Sequence, residues 1–265
     1  MGKKITVSAF AKRAAAGEKL VMITAYDAPG GAAAAKAGID MLLVGDSLAM
    51  TVLGYENTLP ATMEEMIHHT RAVRRGAPDA FIVFDMPFMS YQVSTEKALE
   101  NAGRAMKESG ADAVKLEGGA EYAPLISKMV GAGIPVMPHI GLLPQRIQAV
   151  GGYKVTGRGD DAARLIADAK ALEDAGAFSI VLECISSETA RAITSAISIP
   201  TIGIGSGPDC SGQIQVFHDI IGMFDGFTPK HSRRYAEAGK IIADALRSYA
   251  SDVKNGIFPG PENSF

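Results

Sequence analysis

The chain is poor in cysteine, has no long apolar run and carries no concentrated block of positive charge. Its two cysteines, Cys184 and Cys210, stand in neither a CxxC nor a metal-ligand spacing. That speaks against a thiolate metal site and makes a reducing cytoplasm the expected compartment. No apolar stretch approaches the about 18 residues that a membrane-spanning helix needs. The N-terminus is basic but lacks the continuous apolar segment of a secretion signal. Met1-Gly2-Lys3-Lys4-Ile5-Thr6 fits the loose myristoylation pattern, which is permissive enough to recur by accident. The plainer reading there is a helix over Val7 to Ala15 closed by Gly17. With a net charge of −3 and no basic run able to track a phosphate backbone, nucleic acid is not an expected partner. No linker or low-complexity segment divides the chain, so one catalytic domain over residues 1–265 is expected.

What is present is a repeating βα rhythm. Helical stretches close on glycine at Gly38, Gly110, Gly133 and Gly176, and a strand follows within a few residues. Eight strand-like runs lie near 21–26, 41–46, 81–86, 113–117, 136–140, 179–184, 200–205 and 213–217. Thr62 with Glu65 predicts a capping box, and Ser94, Asp160 and Ser187 are candidate N-caps. A last helix is expected from about Ser232 to Val253, with Tyr235, Ala238, Ile242, Leu246 and Tyr249 on one face. Only the turn Ser206 to Gly212 separates the last two strands, so the helix between strands seven and eight is expected to be short or missing. The glycine-rich stretch Gly151 to Gly159 interrupts the rhythm and reads as a mobile loop. The order predicts a (β/α)8 barrel, whose active groups sit at the C-terminal ends of the strands.

Those strand ends carry acids. Met41-Leu42-Leu43-Val44-Gly45 runs into Asp46, Phe81-Ile82-Val83-Phe84 into Asp85, Ala113-Val114-Lys115-Leu116 into Glu117, and Ser179-Ile180-Val181-Leu182 into Glu183. Val136-Met137-Pro138 runs into His139 instead. Lys115 and Glu117 are two apart, so strand alternation gives them one face, the lumen, while Val114 and Leu116 pack outward. By the same rule Cys184 faces away from the lumen if Glu183 faces into it, as a small packed hydrophobe rather than a nucleophile. Carboxylates gathered round one ammonium repel, so either some are protonated or a cation neutralises them. Oxygen-only ligands point to a hard ion, Mg2+ before Zn2+. His139 reads as a hydrogen-bond donor to substrate, and the pair His68-His69 as a structural or surface feature. The run Ile202-Gly203-Ile204-Gly205-Ser206-Gly207 reads as close backbone approach to a flat ligand, or as a tight turn; without a helix after it, a phosphate site is weakly supported.

At these residues the chain resembles the ketopantoate hydroxymethyltransferase family. The matching stretches include Ile23-Thr24-Ala25-Tyr26-Asp27, Leu43-Val44-Gly45-Asp46-Ser47-Leu48, Asp85-Met86-Pro87-Phe88-Met89, Val114-Lys115-Leu116-Glu117-Gly118-Gly119, His139-Ile140-Gly141-Leu142 and Leu182-Glu183-Cys184. The resemblance implies a barrel of the phosphoenolpyruvate/pyruvate type. It implies one Mg2+ per subunit, 5,10-methylenetetrahydrofolate as co-substrate, and a homo-oligomer, usually a decamer. By position, Asp46, Asp85 and Glu117 resemble the metal set. Asp46, Ser47, Asp85 and Lys115 resemble the ketoacid-binding set, with His139 steadying a substrate oxygen. Glu183 occupies the place of the proton acceptor. Three departures stand out: Ala49 for a usual glycine, Ser206 for a usual alanine and Asn263 for a usual histidine. Ser206 would add a hydroxyl near the mouth, within reach of the folate.

The expected chemistry is removal of the C3 proton of 3-methyl-2-oxobutanoate by Glu183, with the ketoacid chelated to Mg2+, and attack of the enolate on the folate methylene carbon, giving ketopantoate for pantothenate synthesis. Two other readings compete. One is a Mg-dependent ketoacid lyase or mutase of the same barrel type, weakened because the Lys-Lys-Cys-Gly-His loop of the isocitrate lyases is absent. The other is a non-catalytic ketoacid-binding barrel, for which loss of the base would be expected; Glu183 is retained.

Overall fold

The structure is a computed structural model, and it describes residues 5–152, 154–224 and 229–265. Met1 to Lys4, which open the myristoylation-like pattern, and Tyr153 of the glycine-rich stretch lie outside the described residues. The chain divides into two compact units, Met1–Gln215 and Val216–Phe265.

The first unit is the barrel. Its strands are β1 (Leu20–Thr24), β2 (Met41–Val44), β3 (Phe81–Asp85), β4 (Ala113–Glu117), β5 (Val136–Gly141), β6 (Ile180–Glu183), β7 (Thr201–Ile204) and β8 (Gly212–Gln215). Every neighbour is parallel and β8 closes on β1, with Val21 beside Gln213. The short apolar runs read as strands because barrel strands are buried on both faces. Alternate residues fill the lumen: Met41, Phe81, Ala113, Met137, Val181 and Ile202 belong to one buried cluster. Phe10, on the helix Val7–Ala15, enters the same cluster and meets the Phe81 ring edge-on at 5.1 Å. Phe81 begins β3, so this helix seals the N-terminal end of the lumen and leaves the other end for chemistry.

Helices follow the strands, among them Ala28–Lys36, Met63–Gly76, Thr95–Ser109, Ala123–Gly131, Asp160–Asp174 and Ser187–Ala196. Between β7 and β8 the described residues form only turns and bends, as the sequence spacing predicts. The capping box at Thr62 and Glu65 is present, and Ser94 accepts the Lys97 N–H at 3.2 Å. Two expected caps are displaced. Ser186, not Ser187, accepts the Thr189 N–H, at 3.4 Å. Gly159 stands at the N-cap before Asp160, and Asp161 reaches back to the Gly157 N–H at 2.7 Å.

The second unit contains the helical turn Phe217–Ile220, the helix Ala238–Lys254 and the turn Pro261–Asn263. The long helix begins at Ala238 rather than near Ser232, and Tyr235 lies outside it. The backbone before it is committed elsewhere: the Tyr235 N–H donates to the Ile220 carbonyl at 2.7 Å and Ala238 N–H to that of Ile221 at 2.9 Å. No helix among the described residues is long and apolar enough to cross a membrane.

Candidate active site

Strand register assembles the site. Asp85 pairs with Lys115 across β3 and β4, and Glu117 pairs with His139 across β4 and β5. All four point into the lumen, so neighbours in register become neighbours in space. The Lys115 ammonium donates to Asp85 Oδ1 at 2.7 Å and lies 3.9 Å from Glu117 Oε1. Asp46, two residues past β2, donates its backbone N–H to Asp85 Oδ2 at 3.2 Å. Gly45 makes room for this crossing: a Cβ there would stand 2.9 Å from Ser47 Oγ and 3.7 Å from Asp85 Oδ2. His139 links the other side, with Nδ1 3.7 Å from Glu117 Oε1 and Nε2 3.3 Å from Glu183 Oε2. Asp46, Asp85, Lys115, Glu117, His139 and Glu183 therefore form one continuous cluster. Ser47 sits beside it, its hydroxyl 2.8 Å from that of Tyr26.

Burial sets the charges. The side chains of Asp85, Lys115, Glu117 and His139 are 1–5% exposed, whereas that of Glu183 is 16% exposed. Burial first, then the charge of Asp85, push Asp46 up to about 7 against the opposing pull of Lys115 and of the Gln145 amide. Burial above all raises Glu117 well above the carboxylate range; Lys115 opposes it, and Asp46 and Asp85 add to it. Burial also acts against the Lys115 ammonium, but Asp85, Glu117 and Asp46 outweigh it and hold its pKa above the ordinary lysine value. Burial, then the Lys115 charge, hold His139 below the usual imidazole value, so it is neutral at neutral pH. Neither ring nitrogen makes an aligned hydrogen bond, and both remain available as donor or acceptor to an incoming group.

The cluster suits a divalent cation in its chemistry. The carboxylate set is oxygen-only, and Glu117 Oε1 is buried with no hydrogen-bond partner. Among the described residues no three His, Cys, Asp or Glu side chains enclose an ion by themselves. A Mg2+ site does not require that, because the ion keeps several positions for water and substrate oxygens and takes only one or two carboxylates. Asp46 and Asp85, with Glu117 beside them, are the residues that would hold it.

Two polar residues of the site escaped the sequence reading. Gln145, 4% exposed on the turn after β5, donates to Asp46 Oδ2 at 3.0 Å. The Tyr91 hydroxyl accepts the Glu117 N–H at 3.1 Å and meets Gln145 Oε1 at 2.9 Å. The only sequence signal for Gln145 is Pro144, which opens a helical turn directly after a barrel strand. Ser206 differs from expectation. It is fully buried, its hydroxyl donates to the Leu182 carbonyl at 2.8 Å and accepts the Ile185 N–H at 3.1 Å. The hydroxyl is thus spent on the backbone either side of Glu183 and Cys184, not offered at the mouth. His69 donates its Nδ1–H to the Tyr26 carbonyl oxygen at 2.6 Å, which is the structural role expected of it.

The family model described as ketopantoate hydroxymethyltransferase matches residues 4–261. A 3-methyl-2-oxobutanoate hydroxymethyltransferase of Carboxydothermus hydrogenoformans is 55% identical over 99% of this chain and 95% of its own length. That of Pseudothermotoga lettingae is 57% identical over 93% of each. Among solved structures, 2,3-dimethylmalate lyase, a PEP mutase/isocitrate lyase superfamily member, superposes with a TM-score of 0.60 at 18% identity, covering 96% of this chain and 89% of that one. This last likeness is one of fold, and it agrees with the expected (β/α)8 barrel. With a whole-chain match and relatives above half identity, the chain belongs to the ketopantoate hydroxymethyltransferase family.

Proposed function

We propose that this chain transfers a hydroxymethyl group from 5,10-methylenetetrahydrofolate to 3-methyl-2-oxobutanoate, giving ketopantoate and tetrahydrofolate with one water consumed. Residues 1–265 act as one catalytic chain in this reading, every reacting group lies within Met1–Gln215, and the compartment is the cytoplasm. Asp46 and Asp85, with Glu117, would hold Mg2+, which when bound supplies Lewis-acid polarisation of the ketoacid oxygens.

The chain's own residues do the rest. Glu183 removes the C3 proton. Water releases the methylene carbon from the two folate nitrogens at the formaldehyde level, its protons passing to those nitrogens. The C3 carbanion equivalent adds to that carbon, while the new alkoxide takes the proton back from Glu183. A base must be reachable by substrate while its neighbours stay dry. The observation that carries this reading is that Glu183 alone combines partial exposure, 16%, with contact to the buried cluster through His139 at 3.3 Å. Neutral His139 donates a hydrogen bond to a substrate oxygen. Lys115, held charged by Asp85, spends one N–H there and keeps others for the substrate carboxylate. Ser47 stands next to Asp46, its hydroxyl 2.8 Å from that of Tyr26.

The test is proton exchange. With Mg2+ and ketoacid in deuterium oxide, the parent protein should exchange the C3 proton without folate. Glu183→Gln should lose that exchange while ketoacid binding, measured by calorimetry, persists. Exchange at the parent rate in Glu183→Gln removes Glu183 from the role of base.

A further inference from the structure

Gln145 hydrogen-bonds to two carboxylates of the cluster, those of Asp46 and Glu117. It lies on the single turn Pro144–Arg146 after β5. Its backbone N–H donates to Glu117 Oε2 at 3.0 Å. Its amide nitrogen donates to Asp46 Oδ2 at 3.0 Å and to the Met86 carbonyl at 3.0 Å. Its amide oxygen accepts from the Tyr91 hydroxyl at 2.9 Å and from the Gln92 amide at 3.1 Å. The network fixes the amide orientation, because a carboxylate and a carbonyl can only accept. From the end of β5, one residue thereby grips groups at the ends of β2, β3 and β4.

We propose that Gln145 is a positioning residue that selects the metal-facing oxygens of the site. It occupies Oδ2 of Asp46 and Oε2 of Glu117, and so reserves Asp46 Oδ1 and Glu117 Oε1 for a divalent cation. The inference rests on the reading of the cluster as a cation site. Glu117 Oε1 is buried with no hydrogen bond, only the longer approaches of Lys115 at 3.9 Å and His139 at 3.7 Å, which leaves it able to take a ligand role. Hydrogen bonds to an anionic acceptor are the stronger kind, so an amide suffices to stop the Asp46 carboxylate from rotating. A neutral amide also orients an anion without adding a second positive charge beside Lys115, which would repel the ion. Groups that orient ligating side chains in this way typically change metal affinity about 10- to 100-fold when removed.

The experiment measures Mn2+ binding by calorimetry, with and without ketoacid, in the parent protein and three variants. Gln145→Met keeps length, loses the amide N–H groups that face Asp46 and Met86, and keeps the backbone N–H to Glu117. Gln145→Asn withdraws the amide by one methylene and serves if the Met variant does not fold. Tyr91→Phe removes the hydroxyl bonded to the Gln145 amide oxygen and to the Glu117 backbone, but leaves the amide nitrogen free to face Asp46. Both Gln145 variants should weaken Mn2+ binding about 10- to 100-fold, and raising Mn2+ should restore their kcat toward the parent value. Tyr91→Phe should lower the melting temperature yet keep Mn2+ affinity near that of the parent. Parent-like Mn2+ affinity in the Gln145 variants, a kcat that excess Mn2+ does not restore, or an equal loss in Tyr91→Phe would each overturn the proposal. A parent protein that binds no Mn2+ would instead overturn the cation-site reading on which it stands.

Discussion

Glu183 and Cys184 are adjacent in sequence yet opposite in chemistry, and the strand explains why. Alternation sends Glu183 into the lumen, and β6 ends at that residue. Cys184 then takes a left-handed backbone, with φ 49°, as the chain leaves β6. Burial first, and then the charge of Glu183, push its thiol up to about 11. A raised thiol pKa leaves the neutral form dominant until the pH nears that value, so the nucleophilic thiolate is scarce at neutral pH. Alkylation at Cys184, followed by mass spectrometry, should therefore be slow at neutral pH and climb about tenfold per pH unit toward pH 11. Cys184→Ser should leave turnover near the parent value; a collapse of turnover in a folded variant would return the thiol to the chemistry. At this scale the sequence was a good guide to Asp85, Glu117 and Glu183, because each ends a strand whose two-residue period decides its direction; Asp46 lies two residues past β2 and is brought in by the turn after it. It was a poor guide to Gln145 and Ser206. Their roles come from hydrogen bonds made across strands distant in sequence, for which local periodicity holds no trace.

The contact of β5 with β6 decides where Glu183 stands. Gly141 pairs with Glu183 in register and has φ 101°, a conformation that side chains rarely adopt. A Cβ there would lie 2.2 Å from the Glu183 carbonyl oxygen, and no flexible group can yield. Gly141→Ala should force β5 off β6, costing about 1–3 kcal/mol as other forced overpacking does. Thermal melting should record that loss, and C3 proton exchange per folded molecule should fall with it, because the displaced strand carries Glu183. Full exchange in a folded Gly141→Ala protein would show that the base tolerates the shift. Elements themselves were legible where two signals agree. Thr62 and Glu65 satisfy each other reciprocally, so that helix start was unambiguous. At Ser186-Ser187 and Gly159-Asp160-Asp161 adjacent residues are both competent to start a helix, and only backbone geometry selects one. The helix missing between β7 and β8 was legible because the connection is too short to hold one.

The helix Ala238–Lys254 raises a question that a single chain does not answer. None of its residues is buried. Ile242, Leu246, Tyr249 and Val253, at intervals that bring them onto one face, are 44, 62, 57 and 45% exposed. Single exposed apolar residues are ordinary, but a continuous stripe along a helix marks a surface that is covered in the working molecule. The helix does not owe its stability to burial of that stripe within its own unit, and isolated helices of this length are marginal in water. A second copy of the chain is the occupant that the family resemblance suggests. Light scattering behind size exclusion should then give a multiple of the 27.7 kDa subunit, tenfold if the usual family assembly is kept. Leu246→Glu combined with Val253→Glu should shift the mass toward one subunit while circular dichroism keeps the barrel signal, because neither residue belongs to the unit Met1–Gln215. A parent protein that elutes at one subunit mass across a wide concentration range would separate the stripe from self-assembly altogether.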